Sequence, residues 1–298
     1  MMIDAHQHVW DLERAEYEWL DSGLAPIDRT MLLADVLPEM REAGVGATVL
    51  VQAADNADDT ATMLRVADAH PQVVGVVAWL PLDEPARAAT MLDKLRLDDR
   101  VVGVRTLLHA RPDPDWVLRS DVDAGLGVLE AAGTAFDYVT GSPAALAHLP
   151  TISARHPNLT VVIDHLGKPP VGGSPEQRAD WRRLIARAAE NPRVVAKVSG
   201  LYAATGDLAG WTVDDVRPFV LEALELFGPD RLMAGGDWPI SVLAGGYTRT
   251  WSALAEVTAE LDPRERAAVF GATATTAYGL APERLALAEV LAPGMGAG

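Results

Sequence analysis

Residues 47–80 read ATVLVQAADNADDTATMLRVADAHPQVVGVVAWL. Two apolar, β-branched runs, ATVLVQ at 47–52 and VVGVVAWL at 73–80, enclose a stretch from about 59 to 70 whose apolar residues recur at three- and four-residue spacing. The runs have the length of strands, and the stretch between them has the period of an amphipathic helix. Pro71 disfavours helical geometry at His70, so the helix stops there and the second strand begins. Strand, helix and strand in this order form a unit whose two strands lie parallel.

The same alternation continues outward in both directions. Further strand-like runs are IDAHQH at 3–8, VVGVRTLL at 101–108, TAFDYV at 134–139, TVVIDHL at 160–166, VVAKVSG at 194–200 and RLMAGGD at 231–237, which makes eight in all. Between them lie helix-like segments such as TMLLADVLPEMREAG, LGVLEAAG, PAALAHLPTISARH and VRPFVLEALELFG. The stop at His70-Pro71 recurs at His156-Pro157 and Asn191-Pro192, where a helix-terminal side chain can meet the last carbonyls. Eight such units within about 270 residues suit a closed (β/α)8 TIM barrel. No GxGxxG follows the first strand, which argues against an open dinucleotide-binding sheet of the same alternation. The expected organisation is one barrel domain over 1–290 and a disordered tail over 291–298. The segment 9–29, with Trp10, Tyr17 and Trp19, is expected to cover the barrel mouth.

With 298 residues, 49% hydrophobic and 22% charged, the chain has the composition of an ordinary globular protein. Forty-two acidic against 25 basic residues give a formal charge of −17, which repels phosphate backbones and anionic lipid, so neither nucleic acid nor membrane is an expected partner. There is no cysteine, which removes disulfides, thiolate metal sites and cysteine nucleophiles together. A cytoplasmic protein is the simplest expectation, because the start carries Asp4 in place of a basic, then apolar, leader. No apolar run reaches the roughly 18 residues of a membrane helix. Besides a small-molecule substrate, a homo-oligomer is an open expectation.

In a barrel of this type chemistry gathers at the C-terminal ends of the strands. Those ends carry His6 and His8, then Arg105, Asp137 or Tyr138, His165, Ser199 and Asp237. His6 and His8 are two apart in a strand and share a face. With His165 and Asp237 they make a plausible site for at most one divalent ion, zinc by preference, with room for water. The same four groups can also work without metal, with Asp237 as general base and the imidazoles as donors to developing negative charge.

The runs IDAHQHVW at 3–10, GVR at 103–105, DPDWVLR at 113–119, IDHLGKP at 163–169, KVSGL at 197–201, LFGPDRLMAGGDWP at 226–239 and ERAAVFGATATTAYGL near the end resemble the amidohydrolase superfamily. More narrowly, they resemble its lactonase branch. The resemblance implies a hydrolase that opens sugar lactones or related cyclic esters, with His6, His8, His165 and Asp237 at the active site. On that implication Asp237 activates water for attack on the ring ester, and Arg105 with the histidines stabilises the oxyanion. Asp237 or His165 then returns a proton to the leaving alkoxide. A zinc-dependent, non-hydrolytic decarboxylase and a non-catalytic ligand-binding barrel are the rival readings.

No Lys or Glu on the fourth strand stands in the place of a bridging ligand, and the fifth offers no His, so a two-metal centre is not expected. Gly236 stands where the branch usually has Ser, and Thr273 where it often has Asn. Arg105 interrupts an apolar strand, which favours a substrate role over a structural ion pair. Lys197 reads at least as readily as a core salt bridge, and Asp164 as packing or a cap. Trp10, Trp79, Tyr138, Lys168 and Trp238 are the candidates for substrate contact; Trp116 and His109 are weaker ones.

Overall fold

A computed structural model describes residues 1–141 and 143–291, so the expected disordered tail lies, from residue 292 on, outside the described residues. Eight strands follow the chain as β1 (Met2–Gln7), β2 (Val45–Val51), β3 (Val73–Trp79), β4 (Val101–Thr106), β5 (Ala135–Tyr138), β6 (Val161–Ile163), β7 (Val194–Val198) and β8 (Leu232–Ala234). Each pairs in parallel with the next, in sequence order. The sheet closes into a (β/α)8 barrel just beyond β8, where Asp237 N donates to His6 O at 2.8 Å and His8 N to Trp238 O at 2.7 Å.

Local chemistry explains the elements between the strands. The helix Ala57–Ala69 begins because the Asn56 side chain accepts from Asp59 N at 2.9 Å, and it ends where His70 turns extended ahead of Pro71. The apolar faces of the outer helices bury against the strands in the larger core cluster. A second cluster fills the barrel interior with Ala5, Val49, Val51, Val77, Val162, Val195 and Met233, and the late residues Ala274, Tyr278 and Leu280 pack onto it. Among the described residues no helix is long and apolar enough to cross a membrane.

Two strands end well short of their apolar runs. After Ile163 the chain leaves β6 for a 3-10 turn over Asp164–Gly167, and after Ala234 it leaves β8. β1 is irregular, with its register to β2 shifting between Asp4 and Gln7. Strict alternation would put Asp4 beside His6 and His8; the shift turns it outward, where its carboxylate accepts from His6 N, Gly236 N and Tyr247 OH, each at 2.9 Å. The segment after β1 returns across the barrel mouth as expected. Trp10 and Met31 form a bridge, Trp10 Nε1 donates to Arg29 O at 2.7 Å, and Trp19 Nε1 to Ala53 O at 2.7 Å.

Gly236 is at the closing seam because nothing larger fits there. A Cβ on it would lie 2.5 Å from a Tyr247 ring carbon, 2.8 Å from Asp4 Oδ2 and 2.8 Å from Trp251 Nε1. Overpacking of this kind costs about 1–3 kcal/mol. Gly236→Ala is expected to lower the urea midpoint by a corresponding amount at an unchanged slope; an unmoved midpoint would show that Tyr247 and Trp251 yield freely.

Candidate active site

At the C-terminal ends of the strands a cavity of about 270 Å³ opens beneath the covering segment. Its polar floor is His8, His165, Asp237 and Arg105, flanked by His109 and Lys168; Trp19, Leu107, Val139, Leu201 and Ile240 supply an apolar wall. His6 lies just below, fully buried.

Hydrogen-bond partners decide which imidazole nitrogens carry protons. His8 Nδ1 sits 2.7 Å from Val51 O, and His165 Nδ1 sits 3.1 Å from Ser199 O and 2.9 Å from Ser199 Oγ. A carbonyl only accepts, so both Nδ1 atoms hold the proton and both Nε2 atoms keep a lone pair. His6 Nδ1 lies 3.2 Å from Asp164 Oδ1 and 3.1 Å from Lys197 Nζ, so its proton depends on which of the two it pairs with; paired with the carboxylate, it leaves a third lone pair on Nε2. Burial lowers His6 and His165 below the usual imidazole range, so both rings are neutral near pH 7.

His6 Nε2 and His8 Nε2 are 3.2 Å apart, and Asp237 Oδ1 is 3.7 Å from the first and 3.5 Å from the second. Two lone pairs at that separation repel unless a cation or proton lies between them. One face of a tetrahedral zinc site, with bonds of about 2.0–2.2 Å, has edges of about 3.3–3.5 Å, so these three atoms fit an ion. His6, His165 and Asp237 also each offer a ligand atom within 4.8 Å of the others. Burial would raise Asp237, but the imidazoles of His165, His8 and His6 around it outweigh burial and hold the carboxyl below its ordinary range. Tyr202 OH donates to Asp237 Oδ2 at 3.0 Å.

The backbone is strained where the chemistry gathers. His165, Leu166, Lys168 and Asp237 have φ of 54°, 50°, 52° and 53°, the left-handed region that side chains other than glycine rarely adopt. Gly200, at φ 59°, lets the chain pass against the site, since a Cβ there would lie 2.6 Å from both Asp237 Oδ2 and His165 Nδ1.

Several expected roles change. Arg105 lines the cavity, and three of its five N–H donors are engaged within the protein: Nη1 on Asp164 Oδ2 at 2.9 Å, Nε on Gln52 Oε1 at 3.2 Å and Nη2 on Gln52 O. Its guanidinium thus forms a buried ion pair with Asp164 and keeps at most two N–H groups for the cavity. Asp164 is no cap or packing residue. It is fully buried between Arg105, Lys197 and His6. Lys197 forms the expected core salt bridge, with Asp137.

Of the substrate-contact candidates, Lys168 lines the cavity; Trp10, Trp79, Tyr138 and Trp238 do not. Tyr138 follows the inward-facing Asp137, so it points outward and donates to Ala145 O at 3.0 Å. Trp10 and Trp238 are buried in the outer core, and Trp79 stays partly exposed outside the lining. Trp116 packs under Arg111, 4.5 Å from ring to guanidinium. Thr273 donates to Pro229 O at 3.1 Å, away from the cavity. Trp19, noted in sequence only as part of the covering segment, is the aromatic of the wall. Tyr202 carried no sequence signal, because a tyrosine in a turn after a strand looks like any other. His109 does line the cavity and is pushed down to about 3, chiefly by burial.

A model of the amidohydrolase family matches residues 3–280. The chain is similar to an L-fucono-1,5-lactonase of Burkholderia ambifaria, 34% identical over 286 residues that cover 93% of this chain and 94% of the relative. An amidohydrolase from Burkholderia multivorans superposes with a TM-score of 0.88 at 31% identity with HEPES bound, over 94% of this chain and 100% of that one. With zinc bound, the values are 0.86 and 29% over the same shares. A 5-carboxyvanillate decarboxylase from Sphingomonas paucimobilis, at 16% identity and a TM-score of 0.62 over 94% of this chain and 99% of its own, shares the fold alone.

Because Ser199 Oγ helps hold His165 in the tautomer that faces the cavity, Ser199→Ala is expected to weaken activity or ion affinity by about 10-fold. That is the low end of the 10–100-fold typical of such orienting partners, since Ser199 O remains. Steady-state kinetics and ion titration together check this; a variant equal to wild type in both would remove Ser199 from the site.

Proposed function

This chain belongs to the amidohydrolase family, and on that premise we propose that it is a lactonase that opens a small sugar lactone by water attack on the ring ester. The observation that carries this reading is an ionised carboxylate, Asp237, facing neutral imidazoles in a cavity of about 270 Å³, in a chain similar over 93% of its length to an L-fucono-1,5-lactonase. The cavity lies just below the range of about 300–1,000 Å³ common for small-molecule sites, which suits a single ring.

His6, His8, His165 and Asp237 would hold one divalent ion, zinc by the chemistry of a nitrogen and oxygen donor set. When bound, such an ion activates water and polarises a carbonyl. Asp237 accepts a proton from the attacking water while Tyr202 OH keeps its other oxygen oriented. The new C–O bond forms as the carbonyl becomes an oxyanion. Lys168, at the cavity edge, donates to the substrate's oxygens, and the Trp19 wall excludes bulk water. Asp237, now protonated, returns the proton to the ring oxygen as the ring C–O bond breaks, because an alkoxide leaves poorly without it. The protein works on a small molecule in the cytoplasm.

Asp237→Asn keeps the shape and removes the base, which is expected to cost about 10²–10⁴-fold in kcat at an unaltered melting temperature. A panel of aldonolactones read with a pH indicator measures it; near wild-type turnover would overturn the assignment, and release of carbon dioxide would favour a decarboxylase. Activity that survives thorough chelation, with metal confirmed absent, would assign the base chemistry to Asp237 alone.

A further inference from the structure

Lys197, on β7, takes no part in the mechanism above, yet it ends in the most enclosed cationic group of the barrel. Its side chain is fully buried, as are those of its partners Asp137, Asp164 and His6. The ammonium Nζ lies 2.5 Å from Asp137 Oδ2, 3.1 Å from Asp164 Oδ1 and 3.1 Å from His6 Nδ1. These partners come from β5, the turn after β6, and β1, so with β7 four segments of the barrel meet at one point. Two carboxylates that meet at one point are oxygen donors suited to a divalent cation. Acceptors are to spare: buried Asp137 Oδ1 and Asp164 Oδ1 have no well-formed hydrogen bond among the described residues.

The charges close on themselves. Asp137 and Asp164 face Lys197 and Arg105, and Tyr278 OH donates to Asp137 Oδ2 at 2.7 Å. Without Lys197 one buried carboxylate would be left uncompensated, a costly state. We propose that the Lys197 ammonium is a permanent internal cation seated where a second metal ion would otherwise bind, and that it confines the centre to the one ion position on the cavity side of His6. The tethered charge neutralises Asp137 and Asp164 as an ion would, but it cannot exchange or be chelated. It also leaves Asp164 free to accept from His6 Nδ1, so that the His6 Nε2 lone pair faces the cavity. The inference rests on reading His6, His8 and Asp237 as an ion-binding centre, and it is independent of which substrate is opened.

The test uses the full chain, counts bound metal and measures melting temperature. Wild type, dialysed against zinc, is expected to hold no more than one equivalent. Lys197→Ala is expected to take up one more and to lose at least 10-fold in activity. Added propylammonium, which replaces the lost part of the side chain, should raise its melting temperature and restore part of the activity, with no effect on wild type. Lys197→Met, neutral and of similar volume, should respond to neither cation and be less stable than wild type.

Should Lys197→Ala fold only in the presence of zinc or propylammonium, the inference stands; if neither cation recovers it, the inference falls. It also falls if wild type holds two ions, if Lys197→Ala folds without gaining an ion or responding to propylammonium, or if Lys197→Met matches wild type in stability and activity. A protein that opens no lactone but shows the expected metal counts would overturn the lactonase reading and leave this one intact.

Discussion

Two backbone hydrogen bonds at the barrel seam hold the site together. Asp237 N to His6 O and His8 N to Trp238 O join segments that are 231 and 230 residues apart in the chain, by the differences 237 − 6 and 238 − 8. Each is worth only about 0.5–1.5 kcal/mol net. Their effect is geometric: they set the imidazoles of His6 and His8 against the Asp237 carboxylate at 3.7 and 3.5 Å. The Asp4 side chain seals the outside of the same seam by accepting from Gly236 N and His6 N. Gly236 admits Tyr247 and Trp251 so close to the chain that no side chain fits between.

Beneath the seam the barrel interior is not uniformly apolar. Taking Arg105, Lys197, Asp137 and Asp164 out of water costs several kcal/mol per ion, and an apolar core of equal volume would be at least as stable. What the network supplies is position. Asp164 stands between two cations and still reaches His6 Nδ1, which decides the face that His6 turns to the cavity. The positive φ at His165, Lys168 and Asp237 serves the same end, since each is bent out of its strand to aim a side chain at one small volume.

The eight strands, their parallel order and the inventory His6, His8, His165, Asp237 follow from local sequence. A strand's apolar run, a helix's three- and four-residue spacing and a proline stop each act within about a dozen residues. His6 and His8 share a face; Asp4, at the same spacing, does not, because the register shifts between Asp4 and Gln7. No pattern in IDAHQH announces that shift, which answers to the partner strand.

The partners of Arg105, the centrality of Asp164, the outward turn of Tyr138, the arrival of Trp19 at the cavity and that of Tyr202 at Asp237 were decided only by tertiary structure. An arginine in an apolar strand is equally legible as a substrate clamp or a buried ion pair. The choice depends on Asp164, 59 residues away, and Gln52, 53 away. Local sequence determines which side chains stand at the strand ends, because alternation is a property of the strand. Which of them keep a free donor or lone pair is settled by barrel closure, because that depends on neighbours brought in from other strands.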